Sequence, residues 1–415
     1  MAATNAPEAF TTSTSCRISG SPTLVDVLSL GDQPLANSLK EDASGPELKV
    51  PLTVSYCSES SLLQIRETIR KEILFSEYVW VSGTGQATRD WAVRFAGTVA
   101  EIASLGADDL VLEIASNDGT FLEPLLARGC RRVLGIDPAA NIAEIARRNG
   151  IPTLTAFWDE ETARRIVEER GRARLIFARN VIAHVSDLES VMRGIVCALS
   201  DDGVGVFEFH AAGEILEGLQ YDSIYHEHLC YFSLASMQYL LKRFDLYPFH
   251  AHVSPISGGA LVVYFARTPR TPTSDLRAIS REEDRRGVNR LDTWRRFADR
   301  AVNHRRESVA LVSSLVPSRI VGYGSSARSS TYLNFCTFGT REIAAVIDNN
   351  RLKQGKFTPG TSLPIVSMAE GLAAGPDYVF IFAWNFREEI MTSCRAAGYA
   401  GRFVTAFPTA PRVWR

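Results

Sequence analysis

The chain has 415 residues, 46% of them hydrophobic and 22% charged, with a formal net charge of -2. That balance excludes the basic stripe expected of a nucleic-acid binder, and no apolar run is long enough to span a bilayer. The length points to roughly two to four domains. Seven scattered cysteines, an odd number, fit a reduced, cytoplasmic setting better than a disulfide framework.

Residues 1–15 are rich in Ala, Thr and Ser, without a basic start or an apolar core. They read as a disordered tail, not a signal peptide. Residues 16–85 form a separate unit with β-like runs at 23–28 and 48–56. It opens on Cys16-Arg17-Ile18-Ser19 and reaches Cys57-Ser58-Glu59-Ser60. Two Cys-x-x-Cys knuckles at this separation would give a tetrahedral zinc site, but serine stands second in each pair and a neutral hydroxyl is a poor ligand. The expectation is a zinc-ribbon-like unit held together without metal. It ends past Tyr78 at Ser82-Gly83-Thr84-Gly85, a turn-rich hinge.

A helix is predicted over 89–105, and then strands and helices alternate. Strand 109–114 leads into the tight loop Ala115-Ser116-Asn117-Asp118-Gly119. Helix 121–128, strand 132–136 ending at Asp137, helix 142–148 and strands 152–156 and 174–178 follow. This rhythm predicts a parallel, doubly wound sheet with ligands at the strand carboxyl ends. A dinucleotide site wants G-x-G-x-x-G after the first strand, whereas this loop has one glycine and the acidic Glu113 before it. S-adenosylmethionine, which has no phosphates, suits it better: its ammonium and ribose hydroxyls seek carboxylates and backbone carbonyls. Asp137 stands where such folds bind ribose, and Phe157-Trp158 is placed to flank adenine. Asn180 and His184 follow the fourth strand at the same rim, where the histidine reads equally as a hydrogen-bonded core residue.

The stretch Gln220-Tyr221-Asp222-Ser223-Ile224-Tyr225-His226-Glu227-His228 concentrates four titratable groups at its end. Imidazole beside carboxylate and phenol suits general acid–base chemistry. A metal site or a structural cluster at a domain seam fits the same residues. Residues 278–315 alternate acidic and basic residues at helical spacing and read as an exposed helical connector. Residues 316–415 form a second α/β unit, with strands at 319–321, 344–347 and 378–382. Its Gly322-Tyr323-Gly324 loop lacks a full dinucleotide fingerprint, so the unit reads as structural or substrate-clamping. Lys353-Gln354-Gly355 reads as either a diphosphate contact or a solvated turn.

From Cys16 onward the chain resembles the three-domain sugar C-methyltransferases of deoxysugar pathways in antibiotic biosynthesis. The resemblance is carried by Leu30-Gly31-Asp32-Gln33-Pro34-Leu35-Ala36-Asn37, Ser116-Asn117-Asp118-Gly119, 180–184, 222–232, Gly258-Gly259, Lys353-Gln354-Gly355, Thr358-Pro359-Gly360 and Ala383-Trp384-Asn385-Phe386. It implies a small zinc-ribbon-like domain, a central Rossmann-like domain over 86–277 that binds S-adenosylmethionine, and a C-terminal Rossmann-like domain. It implies a dTDP-linked 4-keto-deoxysugar as acceptor. His228 would take the proton beside the ketone, with Tyr225, Glu227 and His184 assisting and Glu227 orienting a histidine. Glu113, Ala115, Asn117, Asp118, Asp137, Phe157, Trp158 and Asn180 are expected around the cofactor, and Tyr78, Ser257, Gly258 and Lys353 toward the acceptor. Departures from the family pattern are Ser19 and Ser60 for cysteines, Ala115 for glycine, Ser257-Gly258-Gly259-Ala260 for His-Gly-Gly-Ser, Arg328 for lysine and Asn350 for proline. They keep two alternatives open: an enzyme using the same cofactor on a non-sugar scaffold, by methylation or rearrangement, or a non-catalytic binding protein.

Overall fold

The computed structural model describes residues 9–70, 73–74, 82–254 and 258–415. Near its start, short runs with inward-facing apolar residues form antiparallel strands: β1 (Phe10–Thr12), β2 (Leu24–Pro34), β3 (Lys49–Cys57), β4 (Leu62–Ile65) and β5 (Glu67–Ile69). On β3, Val50, Leu52, Val54 and Tyr56 alternate into the core, the period-two pattern of a strand with one covered face. β1 pairs with β5, Phe10 opposite Ile69. The expected disordered tail is therefore ordered from Phe10, because a partner strand far along the chain satisfies its backbone.

The alternating segments give β6 (Leu110–Ile114), β7 (Arg132–Asp137), β8 (Thr153–Thr155), β9 (Ala173–Arg179) and β10 (Leu199–His210). After the two-residue β11 (Cys230–Tyr231) come β12 (Tyr247–Ser254) and β13 (Ala260–Ala266). The central sheet has the order β12–β13–β10–β9–β6–β7–β8, and β13 runs against both its neighbours. Every residue of β6 is buried, as in a parallel strand covered on both faces. The chain winds outward from β6 to β8 and then returns to β9 on the other side of β6. That reversal opens a crevice at the carboxyl ends of β6 and β9. β11 leaves this sheet and pairs with β4, extending the N-terminal sheet to β11–β4–β3–β2.

The charged stretch is a pair of helices, Ser274–Arg286 and Leu291–Leu315. It is more than the solvated connector expected, since Trp294, Phe297, Ala301, His304 and Val312 form a buried face. A fully buried side chain of this size contributes about 1.5–3 kcal/mol, enough to fix the helices against the body. The last sheet comprises β14 (Ile320–Tyr323), β15 (Val346–Ile347), β16 (Ile365–Val366), β17 (Tyr378–Ile381), β18 (Arg402–Thr405) and β19 (Arg412–Trp414). Its order is β16–β15–β14–β17–β18–β19, parallel except at β19. The helix Ala327–Cys336 follows β14, capped by Ser326 and Ser329 in a reciprocal box. It faces residues 220–224 across the domain boundary.

Candidate active site

Where β6 ends the chain turns sharply, through left-handed backbone at Ala115 (φ 53°), Asn117 (φ 51°) and Gly119 (φ 81°). A Cβ on Gly119 would meet Ile151 at 2.6 Å, so glycine is required there. Ala115 adopts the same region with a methyl group, at a cost of about 1–2 kcal/mol. Asp137 braces the loop, its carboxylate accepting from Asn117 N at 2.8 Å and Ala139 N at 2.9 Å. Asn117 Oδ1 accepts from Ser82 N at 2.8 Å and Asp118 Oδ2 from Gly83 N at 2.9 Å. These two side chains thereby fasten the hinge across the loop.

Glu113 is buried at the base of this loop, and its Oε2 has no hydrogen-bond partner among the described residues. Burial pushes its carboxyl well above the usual range, opposed by the nearby Arg179 guanidinium. Arg179 is itself paired with the buried Glu208, Nε to Oε2 2.5 Å. A buried carboxyl oxygen without a donor is costly, and a cationic or hydroxylic ligand at the crevice would satisfy it. The donor set therefore fits S-adenosylmethionine.

Residues 220–231 pack beside the turn that follows β9, where His184 meets His228. His228 Nδ1 lies 3.1 Å from the Ser223 carbonyl and Nε2 2.8 Å from Tyr225 Oη. A carbonyl only accepts, so Nδ1 carries the proton and Nε2 keeps a lone pair that accepts from the tyrosine hydroxyl. Burial, reinforced by His184 and His210, holds the His228 pKa well below its usual value, so the ring is neutral. His184 meets it edge-on with ring centroids 4.7 Å apart, and burial lowers the His184 pKa to about 4. The Leu229 N–H donates to the Ala183 carbonyl at 2.7 Å, tying the two histidine-bearing segments together.

The Glu227 carboxylate does not orient a histidine; only its backbone hydrogen-bonds one, His184. Glu227 Oε1 accepts from Asn37 Nδ2 at 2.7 Å, while burial raises the carboxyl to about 7. Ser223 and Tyr225 orient His228 instead. His226 turns away, Nε2 donating to the Pro51 carbonyl at 3.0 Å.

Two expected ligand contacts are internal. Trp158 is buried in the core and its indole N–H donates to the Val191 carbonyl at 3.2 Å, so it does not flank adenine; its neighbour Phe157 is exposed. Lys353 folds back, Nζ donating to the Ser325 carbonyl at 2.5 Å and sitting 3.7 Å from Asp348, so its charge is already matched. Asn180 occupies a left-handed turn (φ 53°) and donates its N–H to the Glu208 carbonyl. Gly258 lies against Gln220, Arg328 and Trp384. Tyr78 and Ser257 lie outside the described residues.

The structure adds Asn37, His210, Gln220, Ser223, Arg328 and Trp384 to the neighbourhood. His210 ends β10 with Nε2 buried and without a partner among the described residues. Sequence signals existed for five of the six: Asn37, Ser223 and Trp384 fall in matching stretches, Gln220 opens the stretch 220–228, and Arg328 marks a departure from the family pattern; only His210 had none.

The knuckle quartet still converges. Cys16 Sγ is 3.1 Å from Ser60 Oγ, and Ser19 Oγ is 3.7 Å from Cys57 Sγ. Two thiols and two neutral hydroxyls do not fit a closed structural zinc site, which uses thiolates and imidazoles; hydrogen bonds and burial hold the knuckles instead.

Three family models tile the chain. A zinc binding domain of methyltransferases matches residues 16–75, a methyltransferase domain 88–251, and a C-methyltransferase C-terminal domain 255–408. The C-methyltransferase NovU of Streptomyces niveus is 34% identical over 407 residues, covering 96% of both chains. Among solved structures, the plantazolicin methyltransferase BpumL with SAH shares 13% identity over 44% of this chain and 85% of its own, with a TM-score of 0.35. Geranyl diphosphate methyltransferase with SAM shares 10% over 45% and 92%, also at 0.35. Overlap this slight carries no argument. The three domain matches and the full-length relative do: the chain belongs to the family of S-adenosylmethionine-dependent C-methyltransferases.

Proposed function

We propose that the enzyme methylates the carbon beside the ketone of a dTDP-linked 4-keto-deoxysugar in secondary metabolism, with His228 as the base. The observation that carries this reading is the tautomer of His228, whose Nε2 lone pair is fixed by the Ser223 carbonyl behind it. A proton beside a ketone is a weak acid, so the enolate oxygen needs a donor as the charge develops. Such donors contribute a few kcal/mol each. Tyr225, already hydrogen bonded to Nε2, and His184, against the same ring, are the candidates. As Nε2 takes the proton, the imidazolium keeps its Nδ1–H on Ser223, and the phenol is released toward the enolate oxygen. Glu227, titrating near 7, is suited to take up or return a proton close by.

When bound, S-adenosylmethionine supplies an electrophilic methyl group to the enolate carbon. Glu113, Ala115, Asn117 and Asp137 are the residues that would hold it. The acceptor class rests on the family resemblance of the chain as a whole. Among the described residues no helix is long and apolar enough to cross a membrane. The proposed cytoplasmic setting is supported by the seven free thiols. Incubation with methyl-labelled cofactor and dTDP-4-keto-deoxysugars tests the reading. Label on carbon supports it; bound cofactor with no transfer to any of them overturns the acceptor assignment.

A further inference from the structure

The base-bearing segment is tied to its own central domain, through Leu229 to the Ala183 carbonyl and His228 against His184, but it is also held by both flanking domains. Residues 220–224 are gripped by the C-terminal half of the chain. Arg328 Nη2 donates to Gln220 Oε1 at 2.7 Å, and Arg328 Nε to Ser223 Oγ at 2.9 Å. Thr331 Oγ1 donates to the Ile224 carbonyl at 2.8 Å, and Trp384 Nε1 to Asp222 Oδ2 at 2.9 Å. Tyr221 Oη donates to His304 Nδ1 at 2.8 Å, since His304 Nε2 is committed as donor to the Ala406 carbonyl. Residues 226–231 are gripped by the N-terminal half instead: His226 by Pro51, Glu227 by Asn37, and Cys230–Tyr231 by pairing with β4. His228 sits between the two grips.

The geometry points to Arg328 as a positioning residue that sets the tautomer and orientation of His228 from the C-terminal domain, through Ser223. Its fork clamps the Ser223 hydroxyl with two N–H groups and Gln220 with one of them, and the carbonyl of the same serine receives the His228 Nδ1–H. Among the described residues Arg328 makes no hydrogen bond to the imidazole, so it orients the ring only through Ser223, while its charge adds a small through-space push to the burial that keeps the ring neutral. The guanidinium also lies over Trp384, 5.2 Å from the ring centre, and 3.9 Å from Asp222. It is therefore fixed on three sides, as a strut must be. A lysine, with one rotatable ammonium, could not clamp both partners in one plane. The C-terminal domain thus acts on the chemistry without placing a reacting group in it. This inference rests on the reading of His228 as the base, but its test does not.

The test is the nitrogen NMR spectrum of the full chain labelled with 15N-histidine, with His228 assigned from its absence in His228→Asn. The wild type should show a pyrrole-like Nδ1 and a pyridine-like Nε2. In Arg328→Ala both should move toward tautomer-averaged values, while calorimetric affinity for S-adenosylhomocysteine changes less than about twofold. Turnover should fall about 10- to 100-fold, the usual effect of losing an orienting partner. Unchanged His228 shifts in a folded Arg328→Ala would overturn the inference. Should that variant fail to fold, Ser223→Ala decides: shifts toward averaging support the inference, and unaltered shifts overturn it. His228→Asn with full methyl transfer would sink the base assignment alone and leave the positioning result standing.

Discussion

Replacing Glu227 with glutamine probes the electrostatics of the crevice while keeping its shape. Glu227 is 6% exposed and accepts one neutral hydrogen bond, from Asn37, and burial raises its carboxyl from 4.5 to about 7. In the unfolded chain it titrates at its ordinary value. A carboxyl whose folded pKa is raised contributes fully only below the unfolded pKa, and the contribution is lost as pH rises through the folded one. The whole interval is worth about 3 kcal/mol at 1.36 kcal/mol per unit, of which about 2.5 kcal/mol falls between pH 5 and pH 8. Glutamine retains an oxygen for Asn37 and cannot ionise. Glu227→Gln should therefore gain about 2.5 kcal/mol on the wild type between those pH values, a rise in melting temperature of several degrees. Thermal melts of both proteins at pH 5, 6, 7 and 8 give the difference, in which the other titrating groups cancel. A difference that stays flat with pH would refute the placement of this carboxyl in a dry site.

On the acid side the sign reverses. Burial holds His184 at about 4 and His210 at about 3, so stability present above the ordinary 6.5 is lost as pH falls below it. His210→Gln should flatten the fall in melting temperature between pH 6.5 and 5, and an unchanged slope would show that His210 charges freely in the fold. At Ala115, valine should lower the melting temperature and weaken cofactor binding, whereas glycine should be neutral or stabilising by up to about 1 kcal/mol; equal tolerance of both would contradict the left-handed turn. Restoring Ser19→Cys and Ser60→Cys together should create a site for one zinc per chain, with a melting temperature that chelator then lowers. The wild type should be indifferent to chelator, and elemental analysis showing stoichiometric zinc in it would contradict the hydrogen-bonded knuckle.

Local features were legible in the sequence and long-range ones were not. The tight turn at 115–119 and the meeting of Tyr225 with His228 could be read because these residues lie within a few positions of a strand end or of each other. The strand at Phe10–Thr12 escaped because its partner, Glu67–Ile69, is remote. Trp158 was misplaced because neighbouring loop positions do not reveal which side chain turns inward; the structure buries Trp158 and exposes Phe157. Lys353 looked free because Asp348, five residues earlier, is brought onto it only by the turn between them. Asn37, Arg328 and Trp384 reach Glu227, Ser223 and Asp222 across domain boundaries, which no spacing encodes. The partner that orients His228 was not legible either, since backbone carbonyls such as that of Ser223 have no signature in a sequence.

The account depends on one nitrogen, Nε2 of His228, lifting a proton from the carbon that becomes methylated. Deuterium wash-in at that carbon of a dTDP-4-keto-deoxysugar, measured in D2O with S-adenosylhomocysteine bound so that transfer is blocked, isolates the step. Wild-type enzyme should exchange the position and His228→Asn should not, while both bind S-adenosylhomocysteine equally. Exchange at the wild-type rate in His228→Asn would contradict the assignment of the base.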